Sequence, residues 1–427
     1  MKQKISEDFL HFIWKYRLFK SNKLLTADKQ LLEIISCGLQ NTDSGPDFFN
    51  ARIKLDNTIW AGNIEIHVCS SDWNLHNHSK DEAYNNVVLH VVYEHNEDII
   101  LKNGTKIPTL ELKNLIQPIL LKKYHALLQS KKWIPCSGQI AAIPSLYTQN
   151  WLSRLAIERL ENKINNVFGL VKKLNNDWNE AFYVSLAKYF GMKVNAEPFE
   201  ILALSLPQKI ISKHKNNLLQ IEALLFGQAG LLESSESTNE YQHTLKKEYL
   251  HLKKKYHLHS LPPGIWKFAR IRPNSFPTLK LAQFAVLCHT HSLLFSKIIE
   301  EENASQLQKL FNVSTSEFWK KHYTFEKQSE RNTGSLGVSS VQIIFINTVI
   351  PFLFAYGRYK NNKSIEEKAL TWLEEINPEK NSIIIKWETE GIKLESAADT
   401  QALIQLKNEY CNYFKCINCG IGLELLK

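Results

Sequence analysis

Phe9, Phe12, Ile13, Tyr16 and Phe19 recur at intervals of three and four residues, the spacing that lines one face of a helix, so residues 6–20 are predicted to form an amphipathic helix. The period then changes. LLEIIS at 31–36, NARIKL at 50–55, TIWAGNIEIHV at 58–68 and NVVLHVVYE at 86–94 are β-branched, apolar runs bounded by Gly, Asn, Asp or Ser, and each is predicted as a strand. Between the last two lies SSDWNLHNHSKDEAYNN, polar and long enough for a short helix. From about residue 115 the pattern is helical to the end. LSRLAIERLENKINNVFGLVKKL, WNEAFYVSLAKYF, NLLQIEALLF, LKLAQFAVLCHTHSLLFSKIIEE and INTVIPFLFAYGRY are its clearest helices, separated by Pro-, Gly- and Ser-rich loops near 207, 229–238 and 261–277. The predicted fold class is α+β: a mixed sheet with flanking helices over residues 1–115, then a mainly α-helical region over 116–427 that ends in a cysteine-bearing tail.

Composition narrows the class without naming a function. A chain of 427 residues exceeds what one core supports, and 44% hydrophobic with 22% charged residues is the balance of an ordinary soluble globular protein. No run reaches the about 18 to 20 uninterrupted apolar residues of a membrane span, so no membrane partner is expected. The start, MKQKISEDFLHFIWKYRLFK, is charged within its apolar stretch and lacks a small-residue cleavage site, which predicts a cytoplasmic protein without a signal peptide. Seven cysteines, an odd number in a long chain, argue against a secreted disulfide scaffold and leave thiols or metal ligation. The net charge of +9 comes mostly from downstream: residues 1–140 hold 17 Lys and Arg against 15 Asp and Glu. Such a surplus permits nucleic acid as a partner but does not require it.

The chemistry is concentrated in SGPDFFNARIKLDNTIWAGNIEIHVCSSDW, residues 44–73. Alternation along a strand puts Asn63, Glu65, His67 and Cys69 on one face and Ile64, Ile66 and Val68 on the other. Asp47 follows a Gly-Pro corner, and a turn at Asp56 and Asn57 brings its strand beside that of Glu65. Two carboxylates converging at one end of a sheet make an oxygen site for Mg²⁺ or Mn²⁺, with His67 beside the bound water as base, ligand or phosphate contact. His76 and His78 with Asp81 form a second set, H-x-H-x-x-D, in the polar connection, and His90 is the one polar residue in VVLHVVY. His76, His78 and His90 are candidate substrate contacts. Glu33 and Glu7 are further carboxylates within reach, and Arg270, Arg272 and Lys280 flank a proline-rich basic loop that suits phosphate. In the tail, Cys411, Cys416 and Cys419 are spaced C-x4-C-x2-C, which offers three ligands to one metal.

The helix before a mixed sheet, the Pro46-Asp47 corner and Glu65-Ile66-His67 on the next strand resemble the PD-(D/E)XK nuclease superfamily, with His67 at the position usually held by lysine. The resemblance spans roughly residues 1–115. It implies a restriction-endonuclease-like fold and a metal-dependent nuclease in which Asp47, Glu65 and His67 are catalytic and Asp47 and Glu65 hold Mg²⁺ or Mn²⁺. Some nucleases of that superfamily also close an iron–sulfur cluster between one distant cysteine and three near the C-terminus, which implies Cys136 as the fourth partner of the tail cysteines for a cluster or a zinc. GPDFFNARI, WAGNIEIHVCSSDW, HNHSKDEAYNNVVLHVVYE, RIRPNSFPTLKLAQFA, INTVIPFLFAYG and YCNYFKCINCGIG, taken together, resemble an uncharacterised bacterial family, domain of unknown function 2851. Two other readings stand beside the nuclease. One is a non-catalytic module that binds nucleic acid or protein on a degenerate core. The other is a small-phosphoester hydrolase using His67, His76, His78 and Asp81. A structure in which His76 and His78 point away from Glu65 favours the nuclease among them.

Overall fold

In the computed structural model, which describes residues 5–101, 104–233, 239–330 and 334–427, the first apolar stripe forms helix α1, Glu7–Lys15. The Ser6 side chain caps it by accepting the Phe9 N–H, and Phe9, Leu10, Phe12, Ile13 and Trp14 are buried. The helix stops well before the predicted residue 20. Arg17 takes a left-handed conformation at φ 51°, and the Leu18 N–H returns to the Ile13 carbonyl, which closes the helical end. Tyr16 and Phe19 therefore belong to the turn that follows.

The four predicted runs are the long strands of one mixed sheet. Its strands are β1 (Leu24–Leu25), β2 (Leu31–Ser36), β3 (Leu39–Gln40), β4 (Phe48–Leu55), β5 (Thr58–Cys69), β6 (Val87–Glu94) and β7 (Thr109–Glu111). The order is β1-β2-β4-β5-β6-β7, with β3 paired to β4. β4 and β5 form the expected hairpin: Leu55 pairs with Thr58 across Asp56 and Asn57, and Asp56 is left-handed at φ 49°. β5 pairs parallel with β6, and β6 parallel with β7.

Parallel neighbours need a crossover, and residues 70–86 supply it as a short helix α2, Asp72–Leu75, followed by two 3₁₀ turns. Trp73, fully buried, anchors this connection in a small cluster with Tyr84, Val87, Ile99 and Ile107. Along β5 the consecutive residues Ile64, Glu65, Ile66 and His67 are all buried, because both faces of the strand are covered there.

Two compact units result, Met1–Trp151 with Lys407–Lys427, and Leu152–Leu406. The division lies beyond the expected residue 115, and the tail returns to the first unit. Helix α3, Pro118–Leu128, packs against the terminal helix Gly420–Leu426, and Lys407 Nζ donates to the Trp133 carbonyl at 2.7 Å.

The second unit is helical, as predicted, around one large apolar core. Two predicted helices are interrupted. The run at 279–301 breaks into Pro277–Thr290 and Leu294–Glu300. In Val338–Lys360, Pro351 cannot donate to a carbonyl one turn back, and a π-helical segment, Phe345–Val349, precedes it. The Lys163 ammonium takes up the Ile346 carbonyl at 3.0 Å, and burial pulls its pKa down to about 7. Val338–Lys360 also reaches the length and apolarity of a membrane span, a property the residue-by-residue count missed because Ser, Gln and Asn interrupt the run. Of its most apolar stretch, 67% is buried inside the unit, as in a core helix. Part of the loop predicted at 229–238, residues 234–238, lies outside the described residues.

Buried Glu222 gives this unit a pH dependence. Burial pushes its pKa up to about 7, although the Tyr241 and Ser316 hydroxyls donate to the carboxylate. A carboxyl whose folded pKa is raised contributes its full stability below its ordinary value near 4.5. That stability is lost as pH rises through 7. Glu222→Gln should therefore flatten the fall in unfolding free energy, measured by urea titration between pH 5 and 8, by up to about 3 kcal/mol at pH 8. A variant that melts with the wild-type pH profile would show that Glu222 is ionised in the folded protein.

Candidate functional site

Gly45, left-handed at φ 101°, and Pro46 turn the chain into β4 just before Asp47. A register shift between Phe48 and Ala51, with Asn50 at φ 55°, bends the start of the strand and re-aims it toward β5. The two carboxylates then lock onto each other's backbone. Asp47 Oδ2 accepts the Ile66 N–H at 2.9 Å, and Glu65 Oε2 accepts the Asp47 N–H at 3.2 Å. With one oxygen held, Glu65 turns Oε1 toward the ring nitrogens of His78 at 3.2 Å and His67 at 3.6 Å. Glu65 is only 4% exposed and His67 1%, so this is no ion pair on a half-exposed strand.

The rest of the cluster follows from the topology. Parallel pairing sets His90 beside Glu65, and His90 Nε2 lies 2.8 Å from His67 Nδ1. The crossover brings His76 back over β5, with Nδ1 3.1 Å from His67 Nε2. His78 is held by Tyr84, stacked at 3.9 Å between ring centres, and by the edge of Trp73. One ligand atom from each of His67, His76 and His78 lies within 4.8 Å of the others. From α1, His11 reaches Asp47 Oδ2 at 3.1 Å.

Electrostatics separates the rings. Burial, then the neighbouring His90, His78 and His76, pulls His67 down to about 2. Burial and then His78 pull His90 down to about 3. Both rings are neutral, so one proton lies between His67 Nδ1 and His90 Nε2. When His67 donates it, His67 Nε2 presents a bare lone pair beside Glu65 and His76, the state a metal ligand requires. Burial lowers His11, but the close contact with Asp47 and the charges of Asp47, Asp8 and Glu7 together outweigh it, and His11 titrates above its ordinary value. Burial raises Glu65 despite the opposing His78. Burial also raises Glu7, which lies one turn before His11 and is opposed by His76. The ring nitrogens His11 Nε2 and His78 Nε2 approach carboxylate oxygens this closely yet make no aligned hydrogen bond. Buried nitrogens facing carboxylate oxygens in this way can hold a divalent cation among them.

Asp47, Glu65, His67, His76, His78 and His90 therefore meet in one place. His76 and His78 do not point away from Glu65, because a parallel connection must pass back over the sheet, so this criterion does not single out the nuclease from the small-phosphoester reading. Asp81 stands apart and caps the turn at the Ala83 N–H. Glu33 is exposed opposite Lys54. Arg270 and Arg272 are exposed in the other unit, whereas Lys280 is buried and donates to Gln283 at 3.0 Å, so the three do not form one phosphate-gripping loop. His11 escaped the sequence reading because it sits inside the apolar stripe of α1. Its spacing from Glu7, i to i+4, was the available signal.

Residues 7–382 match the model of a family described as a protein of unknown function, DUF2851. The chain belongs to that family. The match takes in every residue of the histidine–carboxylate cluster and Cys136, and ends before Cys411, Cys416 and Cys419. No curated protein and no solved structure matches the chain.

The ring assignments predict a spectrum. In long-range ¹H–¹⁵N NMR of the metal-free protein, His67 and His90 should keep neutral-ring shifts from pH 8 to 5, while His11 gains its proton above pH 6.5. Protonation of His67 within that window would contradict its burial.

Proposed function

We propose that the first unit of this DUF2851 chain is a divalent-metal-dependent phosphodiester hydrolase acting on DNA or RNA, built on a restriction-endonuclease-like core. The observation that carries this reading is the reciprocal lock of Asp47 and Glu65 across β4 and β5, with three imidazoles closing on Glu65. The order of elements supports it: a helix, an antiparallel hairpin bearing Pro46-Asp47 and Glu65-Ile66-His67, a crossover and a parallel strand.

The mixed oxygen and nitrogen donors favour Mn²⁺ or Zn²⁺ over Mg²⁺, because imidazole suits the transition metals. A bound cation supplies Lewis acidity at a phosphoryl oxygen and an acidified water. Glu65, His67, His76 and His78 hold it, and Asp47 fixes Glu65 and completes the acidic wall. His67 acts as a ligand here, since a ring with a pKa near 2 is too weak a base to take a proton at neutral pH. His90 orients it. His11 is protonated in a larger fraction than a free histidine because Asp47 stands beside it, which suits it to the role of proton donor to the leaving oxygen in this reading.

Purified protein is expected to cut single- or double-stranded DNA or RNA with Mn²⁺ or Zn²⁺ and to be inactive with chelator. Glu65→Ala and His78→Ala should each abolish cutting and lower metal affinity by more than the about 10- to 100-fold that loss of a supporting partner costs, judged by titration calorimetry. His11→Asn should lower the rate and remove the alkaline limb of the pH profile while leaving metal affinity unchanged. Intact nucleic acids across a broad panel with all three metals, together with hydrolysis of small phosphomonoesters, would move the assignment to a small-phosphoester hydrolase. Tight nucleic-acid binding without cleavage would make it a binding module.

A further inference from the structure

The tail YCNYFKCINCGIG carries three of the chain's seven cysteines, and no two of the seven are joined in a disulfide. Cys411, Cys416 and Cys419 line one small cavity together with Cys136, which stands 275 positions before Cys411. Cys136, Cys416 and Cys419 are buried and Cys411 is partly so. The local backbone is shaped for this approach. Gly422 also lines the cavity, and a Cβ there would meet the Cys416 carbonyl at 2.0 Å. A Cβ on Gly420 would meet the Trp151 indole at 2.8 Å. The turn between the first two tail cysteines needs a left-handed Phe414, at φ 54°.

The thiols are close enough to feel one another. Burial and then Cys419, Cys136 and Cys416 raise Cys411. Burial and then Cys419 push Cys416 up to about 12. Burial pushes Cys419 up to about 11, against hydrogen bonds from the backbone of Gly422 and Ile421 and from Trp151. The four side chains line one cavity, no three of their sulfurs within 4.8 Å of one another, and the Gly422 and Ile421 backbone and the Trp151 indole face the Cys419 sulfur.

We propose that Cys136, Cys411, Cys416 and Cys419 form a four-thiolate metal centre. A set of four sulfurs with no competing carboxylate or imidazole selects thiophilic metals, and their separation suits the wider span of an iron–sulfur cluster, a single zinc requiring them to draw closer. Each thiol releases its proton to the solvent as its sulfur binds, so loading lowers the pH of a weakly buffered solution. The centre ties residues 407–427 to the segment that follows α3. It stands independently of the hydrolase reading, since it shares no residue with the histidine–carboxylate cluster.

The test uses the full chain purified without oxygen. Elemental analysis and acid-labile sulfide are measured beside the visible spectrum. Zinc near one per chain in a colourless protein, retained in Glu65→Ala, identifies the single ion. Iron with equivalent sulfide and broad visible absorption identifies the cluster. Either outcome supports the centre when Cys136→Ser and Cys416→Ser each lose the metal and Glu65→Ala retains it. Native mass spectrometry with iodoacetamide covers the case in which a serine variant fails to fold: in the wild type the four thiols should resist alkylation until the metal is removed by chelator or acid. A protein that holds neither metal, takes up neither zinc nor iron with sulfide on reconstitution, and alkylates all four thiols at once would overturn the proposal.

Discussion

Two parallel strands cannot be joined by a tight turn, and that constraint builds the site. β5 ends at Cys69, level with Glu94, whereas β6 begins at Val87, level with Asn63, so the chain between them must travel back over the face that Glu65 and His67 present. Trp73 and Tyr84 pin that connection into the small cluster with Val87, Ile99 and Ile107. His76 and His78 are carried to β5 as a consequence. Without the crossover, Glu65 would lie on an open sheet, hydrated and unremarkable in its chemistry. With it, the carboxylate is buried among imidazoles.

That burial has a cost the neighbouring residues offset only in part. A carboxylate removed from water needs hydrogen bonds and an opposite charge. The Asp47 N–H supplies one bond and His78 opposes the rise in the Glu65 pKa, but His67 and His90 are neutral and the neighbouring Asp47 carboxylate adds to it. Desolvation therefore raises Glu65 and depresses His67 together. Both shifts have one cause, removal from water, which penalises a carboxylate and an imidazolium alike.

The sequence was legible wherever a local rule governs structure. The four long strands followed from β-branched runs, and the hairpin from Asp56-Asn57, because pairing and turn chemistry act between residues close in the chain. Asp47, Glu65 and His67 could be grouped for the same reason. What was not legible depends on distant packing. The end of α1 at Lys15 is set by a left-handed Arg17 that no periodicity reveals. Lys280 was read as a loop cation, yet it is drawn into the core by Gln283 and the surrounding apolar helix. The division at residue 151, with the tail returned to the first unit, required knowing that residues 407–427 pack beside α3.

The two clusters of the first unit are linked through α1. A helix of nine residues is too short to persist alone, so its placement comes from what it packs against. Phe9 stacks on Tyr124 of α3 at 4.1 Å between ring centres, and Ser6 Oγ lies 3.3 Å from the Tyr124 hydroxyl. α3 in turn packs on the terminal helix, and α1 itself touches the turn Cys416–Asn418. The tail thus supports the element that carries Glu7 and His11 toward Asp47. With the four thiolates bound to one metal, the ends of a long loop are fixed and the entropy of holding the tail in place falls. The tail thereby supports α1 without adding a group to the histidine–carboxylate cluster.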